Sequence, residues 1–170
     1  MQVHSYDPTT GQAAQGDIVI LPIPAGIAIA KADEIKPVDG RLIIQEGEVS
    51  GHHHKILLPP AMFGRQFKQD TRILGDAAIM TDSPRLKKAF GGKKAAIGTA
   101  RMYRDAGAVE AMVRKGILTR TDLAIGCLVI EGAPVTVSHE EHDGISVPPG
   151  NYYVGRQVES AGAEERVVAD

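Results

Sequence analysis

The chain has 170 residues, 43% of them hydrophobic and 24% charged, with a formal net charge of −2. That length suits one domain with a core that needs no staple, and the near-neutral charge removes any global case for nucleic-acid or anionic-membrane binding. One cysteine, Cys127, excludes an intrachain disulfide, and no apolar run approaches a membrane span.

Aromatics are scarce at 4%, with no Trp, whereas Gly (19) and Pro (10) are plentiful. A core of Ile, Val, Leu and Ala cut this often by turn formers predicts short strands. Residues 1 to 16 are polar, with Asp7-Pro8 and Gly11 as turn formers, and read as a loose arm or an edge element. Asp17 to Pro24 is a β-branched run typical of a strand buried on both faces, edge-like where Pro22 and Pro24 interrupt pairing. Gly26 to Ala30 follows as a second strand or an extension of the first. Lys36 to Gly40 is a turn by composition, and Arg41 to Gln45 is a strand.

Beyond the histidines at 52 to 54, Lys55 to Leu58 reads as a strand stopped by Pro59-Pro60. The segment from about 60 to 120 differs in character. Ser83 caps a short helix from Pro84 to Phe90 that Gly91-Gly92 ends. Ile97 to Tyr103 fits a strand. Asp105 caps a second, amphipathic helix from Ala106 to Lys115, stopped by Gly116.

The last part returns to β. Leu123 to Ile130 and Val135 to Val137 flank a hairpin-type turn at 131 to 134. Ile145 to Val147, Pro148-Pro149-Gly150 and Asn151 to Val158 form a strand–turn–strand unit, and 161 to 170 reads as frayed. The expected architecture is a single domain over residues 1 to 170, mainly β, as a small barrel or a sandwich, with an inserted helical and basic elaboration at about 60 to 120.

Five of the six histidines lie in two packets, Gly51-His52-His53-His54-Lys55 and Ser138-His139-Glu140-Glu141-His142-Asp143. Imidazole is the commonest metal ligand and often works beside carboxylates. On a strand, His52 and His54 project from one face while His53 points away. His139 and Glu141 share a face if their segment is extended, whereas His139 and His142 converge if the chain turns between them. The candidate metal ligands are therefore His52, His54, His139, His142 and Glu141, enough for one transition metal (Zn, Fe, Mn or Ni) if the packets meet. The plainer reading is a pair of polar loops with solvated charge pairs.

Gly47 to His54, followed much later by Pro148-Pro149-Gly150, resembles part of the cupin pattern, which implies a small metal-binding β-barrel. No Glu follows the histidine pair at that pattern's spacing, and Tyr153 stands where its last histidine falls. The segments Gln15-Gly16-Asp17, Glu46 to His54, His139 to His142 and Pro148 to Gln157 are together similar to those of small bacterial and phage-type β-rich proteins without an assigned activity. That resemblance covers the two ends of the chain and implies that they form one folded unit, with the middle as an elaboration.

From Pro84 to Arg104 there is no acidic residue, while Arg85, Lys87, Lys88, Lys93, Lys94, Arg101 and Arg104 are basic. Such a run can contact nucleic acid, another polyanion or an acidic protein. Gly91-Gly92-Lys93-Lys94 lacks the Gly-Lys-Ser/Thr ending of a phosphate-binding loop, and no Gly-x-Ser-x-Gly elbow is present.

These features give three function classes. The leading one is a non-enzymatic structural or accessory protein acting through homo-oligomeric assembly or partner contacts. The others are a small metalloprotein built on the histidines and a polyanion binder built on 85 to 104. The basic-then-apolar start of a signal peptide is missing, so the expected location is the cytoplasm, or the virion if the protein is phage-encoded.

Overall fold

The computed structural model describes residues 2–46, 52–58, 97–161 and 164–167. The helix predicted at 84–90 lies outside them, as do Arg85, Lys87, Lys88, Lys93 and Lys94.

Two open sheets face each other. The first has five strands: β1 (Val3–Ser5), β5 (Arg41–Glu46), β6 (His53–Leu57), β9 (Val135–Ser138) and β10 (Gly144–Val147), in the spatial order β1-β10-β9-β6-β5. The second has six: β2 (Ala13–Gln15), β3 (Ile18–Pro22), β4 (Glu34–Ile35), β7 (Thr99–Tyr103), β8 (Ala124–Glu131) and β11 (Gly150–Arg156), in the order β2-β3-β11-β8-β7-β4. Every pairing is antiparallel except β1 on β10, which is parallel. Of the two predicted architectures the sandwich is realised. Among the described residues neither sheet closes on itself, since each ends in two edge strands.

Period-two alternation fills the space between the sheets. Leu42, Ile44, Ile56, Val137 and Val147 point inward from the first sheet and meet Ile18, Ile20, Met102, Leu128, Ile130, Tyr152 and Val154 of the second. The second sheet is apolar on its other face too, where Cys127 and Tyr153 lie under Ala108, Val109 and Met112 of helix α1 (Ala106–Arg114) and beside Ile23 and Ile27. Burial on both faces explains why β3 and β8 read as continuous apolar runs. The helix begins where predicted: the Asp105 carboxylate accepts the Ala108 N–H at 3.0 Å, and Gly116 follows the C-cap with φ +71°. No helix among the described residues is long and apolar enough to cross a membrane.

Several predicted elements change. Residues 26 to 30 are not a strand; the Ile27 N–H bonds back to the Pro24 carbonyl at 2.9 Å, and the segment turns over the outer face of the second sheet. The turn at 131–134 joins no hairpin: β8 belongs to one sheet and β9 to the other, so it carries the chain across the sandwich. Gly132 is required there, since its φ is +82° and a Cβ would stand 2.3 Å from the Ile97 carbonyl oxygen. Likewise β10 and β11, expected as one unit, lie in different sheets. The end of the chain, expected to fray, pairs as a hairpin of β12 (Val158–Ala161) and β13 (Glu164–Val167). The strand predicted at 97–103 does form, as β7, and it belongs to the core, with Ala100 and Met102 buried.

Candidate functional site

Three loops or strand ends build the polar region between the sheets. Gln15 ends β2, and Asp17 follows it in a two-residue turn into β3 whose first position, Gly16, has φ +54°. His53 and His54 begin β6, directly after His52. The second histidine packet is the loop joining β9 to β10, a true antiparallel hairpin.

The two packets meet. The His54 ring lies 4.4 Å from that of His139, centroid to centroid and inclined by 28°, and His139 lies 4.7 Å from His142 at 22°. His52 meets His139 edge-on at 5.8 Å, and its Nδ1 stands 3.5 Å from Glu141 Oε1. The loop therefore turns through Glu140-Glu141, bringing His139 and His142 together, and all five predicted metal-site residues gather in one place. His53 faces away, as strand alternation dictates.

Two residues outside the predicted set complete the cluster. His54 Nε2 is 2.6 Å from Asp17 Oδ1, and its Nδ1 is 3.0 Å from Gln15 Oε1. Gln15, Asp17, His54 and His139 are the buried polar side chains of the described residues. The Gln15 amide is oriented by its Nε2, which donates to the carbonyls of Asp143 (2.5 Å) and Val137 (3.4 Å). Its oxygen is thus turned to His54, so that His54 Nδ1 is the donor of that bond. The Asp17 carboxylate stands at ion-pair distance from Nε2 but outside hydrogen-bond geometry. His139 plays the opposite part, because its Nδ1 accepts the Glu141 N–H at 3.2 Å. The Gln15-Gly16-Asp17 segment was visible in the sequence, but nothing local in it signals a partner 39 residues away.

On the outer side of the loop, Glu140 bonds the Lys55 ammonium and accepts the His53 N–H at 2.9 Å. Burial works against its charge, but Lys55, the His53 N–H and its own N–H outweigh that and bring its pKa down to about 2.

A chelated metal lies in the plane of every ligating ring, about 2 Å from each nitrogen. Rings stacked at 14–28° set their nitrogens side by side instead of aiming them at one point. Among the described residues no group of three His, Cys, Asp or Glu side chains is arranged to hold a metal ion.

The two described residues of the predicted basic run lie elsewhere. Arg101 and Arg104 stand near Glu34 (3.4 Å) and Asp33 (3.8 Å) in exposed ion pairs, at the opposite edge of the second sheet from β2. Lys31, Thr99, Arg101, Tyr103 and Glu131 line a cavity of about 280 Å³ there. A wider cavity of about 640 Å³ opens between β1 and β2, bordered by His4, Tyr6, Asp7, Ala14, His142 and Asp143. Cys127 is buried under α1, and burial followed by the Asp105 charge pushes its thiol up to about 11.

Comparison with family models, curated proteins and solved structures finds no match for this chain.

Proposed function

We propose that this protein is non-enzymatic and works as a structural or accessory component through assembly or partner contacts. The observation that carries the reading is the closure of the histidine cluster on itself. Its two most buried rings are engaged, His54 by Gln15 and Asp17 and His139 by Glu141 and its stacked neighbours. The effect is to tie β6 and the β9–β10 loop of the first sheet to the β2–β3 turn of the second, a mechanical task. Among the described residues β1, β5, β2 and β4 are the edge strands of the two sheets, and edge strands carry backbone groups that a partner can meet.

A second reading rests on the convergence itself: His52, His142 and Glu141 on the less buried side, with His54 and His139 behind them, bind one transition metal once the stack opens. A third, polyanion binding through the basic segment, finds less support, since Arg101 and Arg104 are already beside carboxylates.

Light scattering coupled to size exclusion, over a wide range of protein concentration with and without chelator, tests the first reading together with elemental analysis. A defined oligomer or a captured partner that persists in chelator is the expected result. A chelator-sensitive chain with about one equivalent of metal, lost in His52→Ala/His142→Ala, transfers the case to the second reading.

A further inference from the structure

The edge strand β1 is attached unlike any other. All three of its residues are exposed, and its side chains contribute nothing to the sandwich core. What holds it is a short slot made by 143–146 and Tyr152. The Gly144 N–H donates to the Gln2 carbonyl at 2.7 Å, the Gln2 N–H to Asp143 Oδ1 at 2.9 Å, and the Tyr6 N–H to the Ser146 carbonyl at 2.9 Å. His4 Nε2 sits 3.4 Å from Asp143 Oδ2, and the Tyr6 ring packs on Tyr152 at 6.1 Å.

The chain then leaves the first sheet altogether. A single 3-10 turn, Pro8–Thr10, capped by the Asp7 carboxylate and followed by Gly11 at φ +114°, leads to β2 at the edge of the second sheet. Tyr6 holds this connection folded by donating its hydroxyl to the Gly11 carbonyl. Unfolded, residues 7 to 12 reach about 20 Å at roughly 3.3 Å per residue, enough to cross to a neighbouring molecule.

We propose that β1 is exchanged between copies of this chain, the Gln2–Tyr6 segment of one molecule occupying the slot along β10 of the next. The occupant is fixed by the structure, because the slot already fits this sequence. Each hydrogen bond, the His4–Asp143 contact and the Tyr6–Tyr152 packing are remade identically between molecules. Only the bonds within the connection are given up: the Asp7 cap and the Tyr6–Gly11 contact. Exchange of an identical element is a low-cost route to an oligomer for this reason. The inference rests on the assembly reading and supplies its contact.

The test uses the parallel register, in which Ser5 lies opposite Ser146. Adjacent strands run about 4.8 Å apart, within disulfide reach, and native Cys127 is buried with its thiol pKa pushed up to about 11. The double variant Ser5→Cys/Ser146→Cys is oxidised first, to establish that the pair closes. Differently tagged Ser5→Cys and Ser146→Cys single variants are then co-expressed, oxidised and mapped by peptide mass. A covalent heterodimer joined 5 to 146 is the expected result, since in that mixture the link forms only across molecules. If the double variant closes inside a monomer, the co-expressed pair gives no 5–146 link and the native chain is oligomeric by light scattering, exchange is wrong while assembly survives. If the chain is also monomeric at every concentration, both fail. A double variant that folds yet closes neither within nor between chains overturns the slot itself.

Discussion

Asp17 and His54 face each other across the sandwich at 2.6 Å, Asp17 in the turn entering β3 of one sheet and His54 on β6 of the other. Both are almost fully buried. Removing one partner of such a pair leaves an uncompensated charge or donor and costs about 3–5 kcal/mol, more than the pair itself contributes. Asp17→Leu and His54→Leu are each expected to lower stability by that amount, and the double variant by clearly less than the sum. Urea unfolding of the cycle checks it; additivity within about 0.5 kcal/mol means that the two side chains are not coupled.

Gln15 is the relay between this pair and the second histidine packet, through its bonds to His54, Val137 and Asp143. Gln15→Leu keeps the volume but strands a ring nitrogen and two carbonyls, at an expected cost of about 1–3 kcal/mol. Nitrogen NMR of the histidines gives a sharper reading. In the native chain His54 Nδ1 is expected to carry a proton, donated to the Gln15 oxygen, and an unprotonated Nδ1 contradicts the assignment.

The contrast between the histidines and Gln15 shows what a sequence reveals. Alternation alone separates His53 from His52 and His54, and three-residue spacing across a turn brings His139 to His142, so local rules reached these residues. Gln15 and Asp17 have no such signature. Their roles follow from which strands of the two sheets lie face to face, a long-range outcome that no window of sequence contains. The turn at 131–134 fails for the same reason: Gly and Pro mark a reversal equally well whether the next strand pairs with the last or crosses to the other sheet. Barrel and sandwich likewise share the same in–out alternation, and the difference lies in edges that remain open.

Glu140 sets an acid limit for the β9–β10 loop. Its pKa falls from 4.5 to about 2 because Lys55 and the His53 N–H favour the carboxylate over the opposing effect of burial. A carboxyl depressed by folding stabilises the native state above its unfolded value and loses that contribution as pH falls from about 4.5 through about 2. Between native protein and Glu140→Gln, the difference in urea midpoint is expected to be largest at pH 6–7 and to shrink toward zero near pH 2. Because the comparison is a difference, other titrating groups common to both proteins largely cancel. A gap that stays constant down to pH 2 removes the carboxylate's charge from the account.

Cys127 reports on the layer under α1. Its side chain is fully buried in β8 beside Tyr153 and Met112, and its thiol is raised to about 11. Thiolate is the reactive form, so the native chain at pH 8 is expected to resist alkylation and to react fully once denatured. Met112→Ala, which empties part of the same layer, should cost about 2–5 kcal/mol and speed native-state labelling by raising the population of opened molecules. Mass spectrometry of timed iodoacetamide reactions measures both effects. Fast labelling of the native chain would show that α1 does not seal this face, whereas slow labelling that Met112→Ala accelerates places the barrier in the packing of the helix against β8.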